Sequence, residues 1–108
     1  MKLVIAIIHD EDAQELIGKL NESGFGVTKL ASTGGFLKAG NTTVLIGVNK
    51  ERVDAVMALI GETCKTRKEV TTTTSIISEA GGFMTMPIEV TVGGATVFVV
   101  DVESHFKF

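Results

Sequence analysis

The stretch Lys2-Leu3-Val4-Ile5-Ala6-Ile7-Ile8, running directly into His9-Asp10-Glu11-Asp12, decides how this chain folds. A continuous apolar run rich in isoleucine and valine reads as a central strand buried on both faces. The acids that follow open a helix. Asp10 or Asp12 can cap it, and Asp12-Ala13-Gln14-Glu15 has the spacing of a capping box. Ala13, Leu16, Ile17 and Leu20 recur at the i, i+3, i+4, i+7 spacing of one apolar helical face, and Gly24 supplies the stop.

Further along, Phe25–Ser32 reads as a second strand, Thr33–Asn41 as a glycine-rich loop and Thr42–Val48 as a third strand. Asn49 is placed to cap a second helix, whose apolar stripe is Val53, Val56, Met57, Ile60 and Cys64. Glu69–Ile77 is rich in β-formers, and its run Thr71–Thr74 suits a sheet edge. Ser78–Met86 reads as a mobile loop. Pro87–Val92, Gly93-Gly94 and Ala95–Val102 read as a hairpin. The order predicts an α+β, ferredoxin-like βαββαβ sandwich with an extra β-hairpin, folded as a single domain over residues 1–108.

Composition narrows the function classes. The net charge of −3 argues against a surface for nucleic acid, and the strands Lys2–Ile8 and Thr42–Val48 lack the aromatic platform on which an RNA-binding sheet stacks bases. No apolar run approaches the roughly 18 residues of a membrane span. The apolar start lacks the cleavage motif of a signal peptide, and a lone cysteine, Cys64, cannot form an internal disulfide, so the expected location is cytoplasmic. A chain of 108 residues buries only part of its apolar surface alone, which makes an oligomer an expected outcome.

The chemistry-bearing stretch is Thr33-Gly34-Gly35-Phe36-Leu37-Lys38-Ala39-Gly40-Asn41-Thr42-Thr43. Gly35 and Gly40 have the glycine spacing of a phosphate loop, but the segment leads into a strand rather than the helix that would hold a phosphate. That excludes an ATPase or GTPase of the phosphate-loop kind. Phe36 and Leu37, large and apolar between flexible glycines, either stack on a base or pack back onto the sheet. Asn41 offers both a donor and an acceptor, as an adenine edge requires. The acids after His9 are suited to capping and to the helix dipole more than to a metal, and Cys64 on an apolar stripe is a core residue. No catalytic residue, cofactor or metal site is expected.

The block Thr28-Lys29-Leu30-Ala31-Ser32-Thr33-Gly34-Gly35-Phe36-Leu37-Lys38-Ala39-Gly40-Asn41-Thr42-Thr43, with Val92-Gly93-Gly94-Ala95-Thr96-Val97-Phe98-Val99, resembles the signature of the PII-like cyclic di-AMP receptors. The resemblance spans nearly the whole chain. It implies a ferredoxin-like homotrimer that binds cyclic di-AMP between subunits without turning it over, signalling by loop motion to a downstream protein partner that the sequence does not specify. Carried over by position, Thr28 hydrogen-bonds an adenine, Gly35, Phe36 and Leu37 line the base pocket, Asn41 contacts base or ribose, and Gly47 offers backbone polar groups. Three departures stand out: Gly26 where the family usually carries an arginine, a Thr71–Met86 segment without the usual proline and tyrosine pattern, and Lys107 where a glutamine is usual. The alternatives are a divergent PII-like trimer for another adenine nucleotide or for a metal at His9, Cys64 or His105, and a small phosphatase of the same fold using Arg52 or Arg67.

Overall fold

The computed structural model describes residues 1–30, 40–77 and 83–108, for 71–77 and 83–86 by the backbone alone. In chain order the elements are β1 (Lys2–His9), α1 (Asp10–Glu22), β2 (Thr28–Leu30), β3 (Asn41–Val48), a 3-10 turn (Lys50–Arg52), α2 (Val53–Cys64), β4 (Arg67–Ile77), β5 (Phe83–Val92) and β6 (Ala95–Asp101). They form a four-stranded sheet ordered β2-β3-β1-β6 and a separate two-stranded sheet of β4 and β5, with antiparallel pairing throughout. This mixed α+β arrangement of two sheets and two helices is consistent with the ferredoxin-like order.

The period-2 rule sorts β1. Val4, Ala6 and Ile8 are fully buried beneath the helices, while Leu3, Ile5 and Ile7 on the opposite face are half-buried. The strand is therefore sealed on one face rather than two, because both helices pack on the same side. β3 contributes Val44, Ile46 and Val48 to the covered face, α1 contributes Ala13, Leu16 and Leu20, and α2 contributes Val56, Ile60 and Cys64. Across the register, Ile5 lies opposite both Leu45 and Phe98, and Leu3 opposite both Gly47 and Val100. Phe98 and Val100, on the uncovered face, are 53% and 42% exposed. One face of the sheet thus remains largely apolar with no helix against it.

Helix α1 ends as its sequence predicts. Gly24 takes φ +87°, its N–H donates to the Asn21 carbonyl at 3.0 Å, and the Phe25 N–H donates to the Leu20 carbonyl at 2.9 Å. That is the paired-bond stop that places glycine in the left-handed region. It also turns Phe25 into the core, so β2 is only Thr28–Leu30 among the described residues instead of beginning at Phe25.

The helix start differs from expectation. His9 holds the N-cap position, and neither Asp10 nor Asp12 caps through its side chain. Asp12 lies in the first turn and is buried by a partner on a distant strand, described below. Asn49 likewise makes no side-chain cap.

The predicted hairpin of Pro87–Val92 with Ala95–Val102 does not form. β5 pairs with β4, from Arg67 opposite Val92 to Ile77 opposite Phe83, and β6 pairs with β1. Gly93 and Gly94, at φ +80° and +96°, have the left-handed backbone that a two-residue hairpin needs, but they steer the chain from one sheet into the other. Beside β1, Val97 alone of the run Val97–Val100 packs against the core, while Phe98, Val99 and Val100 stay 42–53% exposed. Phe83–Met86, expected within a loop, belongs to β5, and 78–82 lie outside the described residues.

Ile46 is fully buried at the centre of the covered face. Ile46→Ala is expected to lower stability by about 2–5 kcal/mol, read as a lower denaturation midpoint at unchanged m-value.

Candidate functional site

Of the sequence-predicted site residues, Thr28, Asn41 and Gly47 fall on described strands, and Gly35, Phe36 and Leu37 lie outside the described residues. Thr28 opens β2 and is exposed; its partner across the ladder is Leu45. Asn41 opens β3 and is half-buried, and Gly47 lies near the end of the same strand, exposed. All three share the uncovered face with Leu45. Thr28 and Gly47 are diagonal neighbours, a separation of about 7–8 Å. Asn41 stands apart from them, six positions before Gly47 and about 20 Å away along the strand.

Each end of β3 has its own hollow. Around Gly47 the lining is Gly24, Phe25, Gly26, Asn49 and Arg52 in a volume of about 170 Å³. The Arg52 guanidinium lies 4.1 Å from the centre of the Phe25 ring and donates from Nη2 to the Ser23 carbonyl at 3.0 Å. Arg52 has no carboxylate partner among the described residues. The hollow lined by Gly26 therefore already holds a guanidinium. Lys107, by contrast, is exposed in a tail where Phe106 and Phe108 stack at 6.4 Å.

The hollow at Asn41 is larger, about 330 Å³, and is lined by His9, Thr66, Gly93, Gly94 and Thr96 beside Asn41 itself. Sequence reading missed Thr66, Thr96 and His9 as neighbours of Asn41, since strand register brings them there across wide separations. The glycine pair was visible, though only as a turn.

Asp12 and Arg67 form the most buried ion pair. Arg67 Nη2 donates to Asp12 Oδ1 at 2.8 Å, with the carboxylate only 4% exposed. The hydrogen bond to Asp12 is the main cause that raises the Arg67 pKa still further above its ordinary value. Beside it, burial first and the Asp12 carboxylate second push the Cys64 thiol up to about 11. A fully buried thiol held neutral is a poor nucleophile. His9 Nδ1 faces Glu11 at 3.7 Å. Among the described residues no group of three His, Cys, Asp or Glu side chains could hold a metal ion, and no helix is long and apolar enough to cross a membrane.

The model of the cyclic-di-AMP receptor family matches residues 1–108. The chain belongs to that family. Among solved structures it is similar to a functionally unknown protein from Pediococcus pentosaceus ATCC 25745, at 41% identity and a TM-score of 0.77, over 99% of this chain and 96% of that one. Membership places the chain among receptors rather than enzymes.

The state of Cys64 is open to test. At pH 7.4 the folded protein is expected to resist iodoacetamide and to be alkylated once unfolded, read by intact mass. Because the folded thiol titrates above the unfolded one, stability is full below the unfolded pKa and falls as pH rises through about 11.

Proposed function

We propose that the protein binds cyclic di-AMP where copies of the chain meet, in a cytoplasmic homotrimer of ferredoxin-like, PII-like subunits. Each chain serves as one ligand-binding domain, and loop rearrangement is the output to a downstream protein. The observation that carries this reading is that Asn41 and Gly47, about 20 Å apart along β3, each line a separate hollow. A compact dinucleotide has difficulty spanning both in a single chain. It can touch both when the Asn41 end of one copy meets the Gly47 end of another.

Two further features support it. The uncovered sheet face, carrying Leu3, Ile5, Ile7, Leu45, Phe98 and Val100, offers apolar surface for burial against other copies. Gly47 is not required by packing within the chain: its φ is not positive, and a Cβ there would meet nothing within 4 Å. A glycine without an internal reason fits close approach by a ligand or a neighbour. In this site Thr28 and Asn41 read the adenines through side-chain hydrogen bonds, Gly35, Phe36 and Leu37 form the base pocket, and Gly47 presents its backbone. Arg52 supplies positive charge beside Gly26, where the family's usual arginine is missing, which favours cyclic di-AMP over loss of the ligand.

Calorimetric titration with cyclic di-AMP, with ATP, AMP and cyclic di-GMP as comparators, is expected to give selective binding of one cyclic di-AMP per subunit. Phe36→Ala is expected to cost about 1–3 kcal/mol of binding free energy, the range of one aromatic–base stack. Gly47→Ala is expected to leave the denaturation midpoint unchanged or raised while weakening binding. Unchanged affinity in both variants would sink the assignment of the site.

A further inference from the structure

We infer that the Asp12–Arg67 ion pair is a positioning element that ties the β4–β5 hairpin to the cleft at Asn41, so that filling the cleft and setting the hairpin root are coupled. The coupling to ligand rests on the function proposed above; the tie itself rests on geometry alone.

Asp12 is 3% exposed, a rare place for a carboxylate without a partner. Its Oδ1 accepts from Arg67 Nη2 at 2.8 Å, and its Oδ2 has no hydrogen-bond partner among the described residues. Among the described residues the hydrogen bond to that buried carboxylate therefore comes from Arg67 alone, the first residue of β4. The same guanidinium donates from Nη1 to the Lys65 carbonyl at 3.2 Å and from Nε to Glu69 Oε1 at 3.3 Å. One planar fork thus joins α1, the end of α2 and the outgoing leg of the hairpin, a task a lysine ammonium can do only in part.

The return leg is fastened at the same point. The Gly94 N–H donates to the Cys64 carbonyl. A Cβ on Gly93 would lie 2.5 Å from Arg67 Nη1 and 2.5 Å from the Lys65 carbonyl oxygen, and one on Gly94 would lie 3.0 Å from Thr66 Oγ1. Bare backbone packs on the guanidinium with no space for a side chain. Thr66, Gly93 and Gly94 are also one wall of the cleft that holds Asn41.

The opposite wall hangs from the same turn of α1. The Asp10 N–H donates to the Gly40 carbonyl at 3.0 Å, and the Thr42 hydroxyl donates to Asp10 Oδ1, so Asp10 grips β3 on both sides of Asn41. Two acids one residue apart therefore hold the two walls, Asp10 the strand and Asp12 the hairpin root. A ligand that presses the walls apart or draws them together acts on the hairpin through Arg67.

Hydrogen exchange of the full chain, read by mass spectrometry without ligand, tests the tie. In Asp12→Asn and Arg67→Gln, amides of Arg67–Val70 and Val90–Gly94 are expected to exchange about tenfold faster, with β1 and β3 unchanged and Arg67→Lys partly restored. Titration of the same variants with cyclic di-AMP tests the coupling. Affinity is expected to fall about tenfold, with the double variant no weaker than either single one. Wild-type exchange at the root in a folded variant overturns the tie, and wild-type affinity with a loosened root overturns the coupling. If Asp12→Asn fails to fold, the two Arg67 variants carry both tests. A wild-type protein that binds no cyclic di-AMP overturns the proposed function and the coupling with it, while the exchange result still decides the tie.

Discussion

Both helices pack on one face of a four-stranded sheet, and the rest of the molecule follows from that asymmetry. The covered face holds Val4, Ala6, Ile8, Val44 and Ile46 with the apolar stripes of α1 and α2, and it is the core. The other face has no helix against it, although Ile5, Leu45 and Phe98 form an apolar row across it. Thr28, Asn41 and Gly47 sit on this second face by strand parity. In the function proposed above, ligand contacts and contacts between copies would draw on this same surface.

The fold was legible wherever a local rule decided it. The stripe Ala13, Leu16, Ile17 and Leu20 gave α1, and Gly24 gave its end, because a helix period and a left-handed stop are written within a few residues. Partners in the sheets were not local in this sense. Gly93-Gly94 has the chemistry of a tight hairpin turn, yet β5 pairs with β4 and β6 pairs with β1, far away in sequence. The double-sided apolar character of Lys2–Ile8 reads as burial on both faces, and periodicity alone does not tell that the helices cover only one of them.

The site divides in the same way. The block from Thr28 to Thr43 reads along the chain as a candidate ligand loop, and its Gly35, Phe36 and Leu37 lie outside the described residues. That two hollows flank β3, one with Arg52 beside Gly26 and one with Thr66 and Gly93-Gly94 beside Asn41, depends on register and could not be read along the chain. Asp12 shows the limit most clearly. As an acid at a helix start it looked like a cap, and its real partner, Arg67, lies 55 residues away. A buried carboxylate is stated by its surroundings, and the surroundings here are assembled from α1, α2 and the hairpin root.

The central claim is that ligand binding belongs to an assembly rather than to a single chain. Native mass spectrometry of the full-length protein with cyclic di-AMP added tests it most directly, since mass reports copies and ligands together. The account predicts a trimer that takes up three ligands, with no ligand on any monomer present. A monomer that carries cyclic di-AMP on its own, or a trimer that carries none, would contradict it.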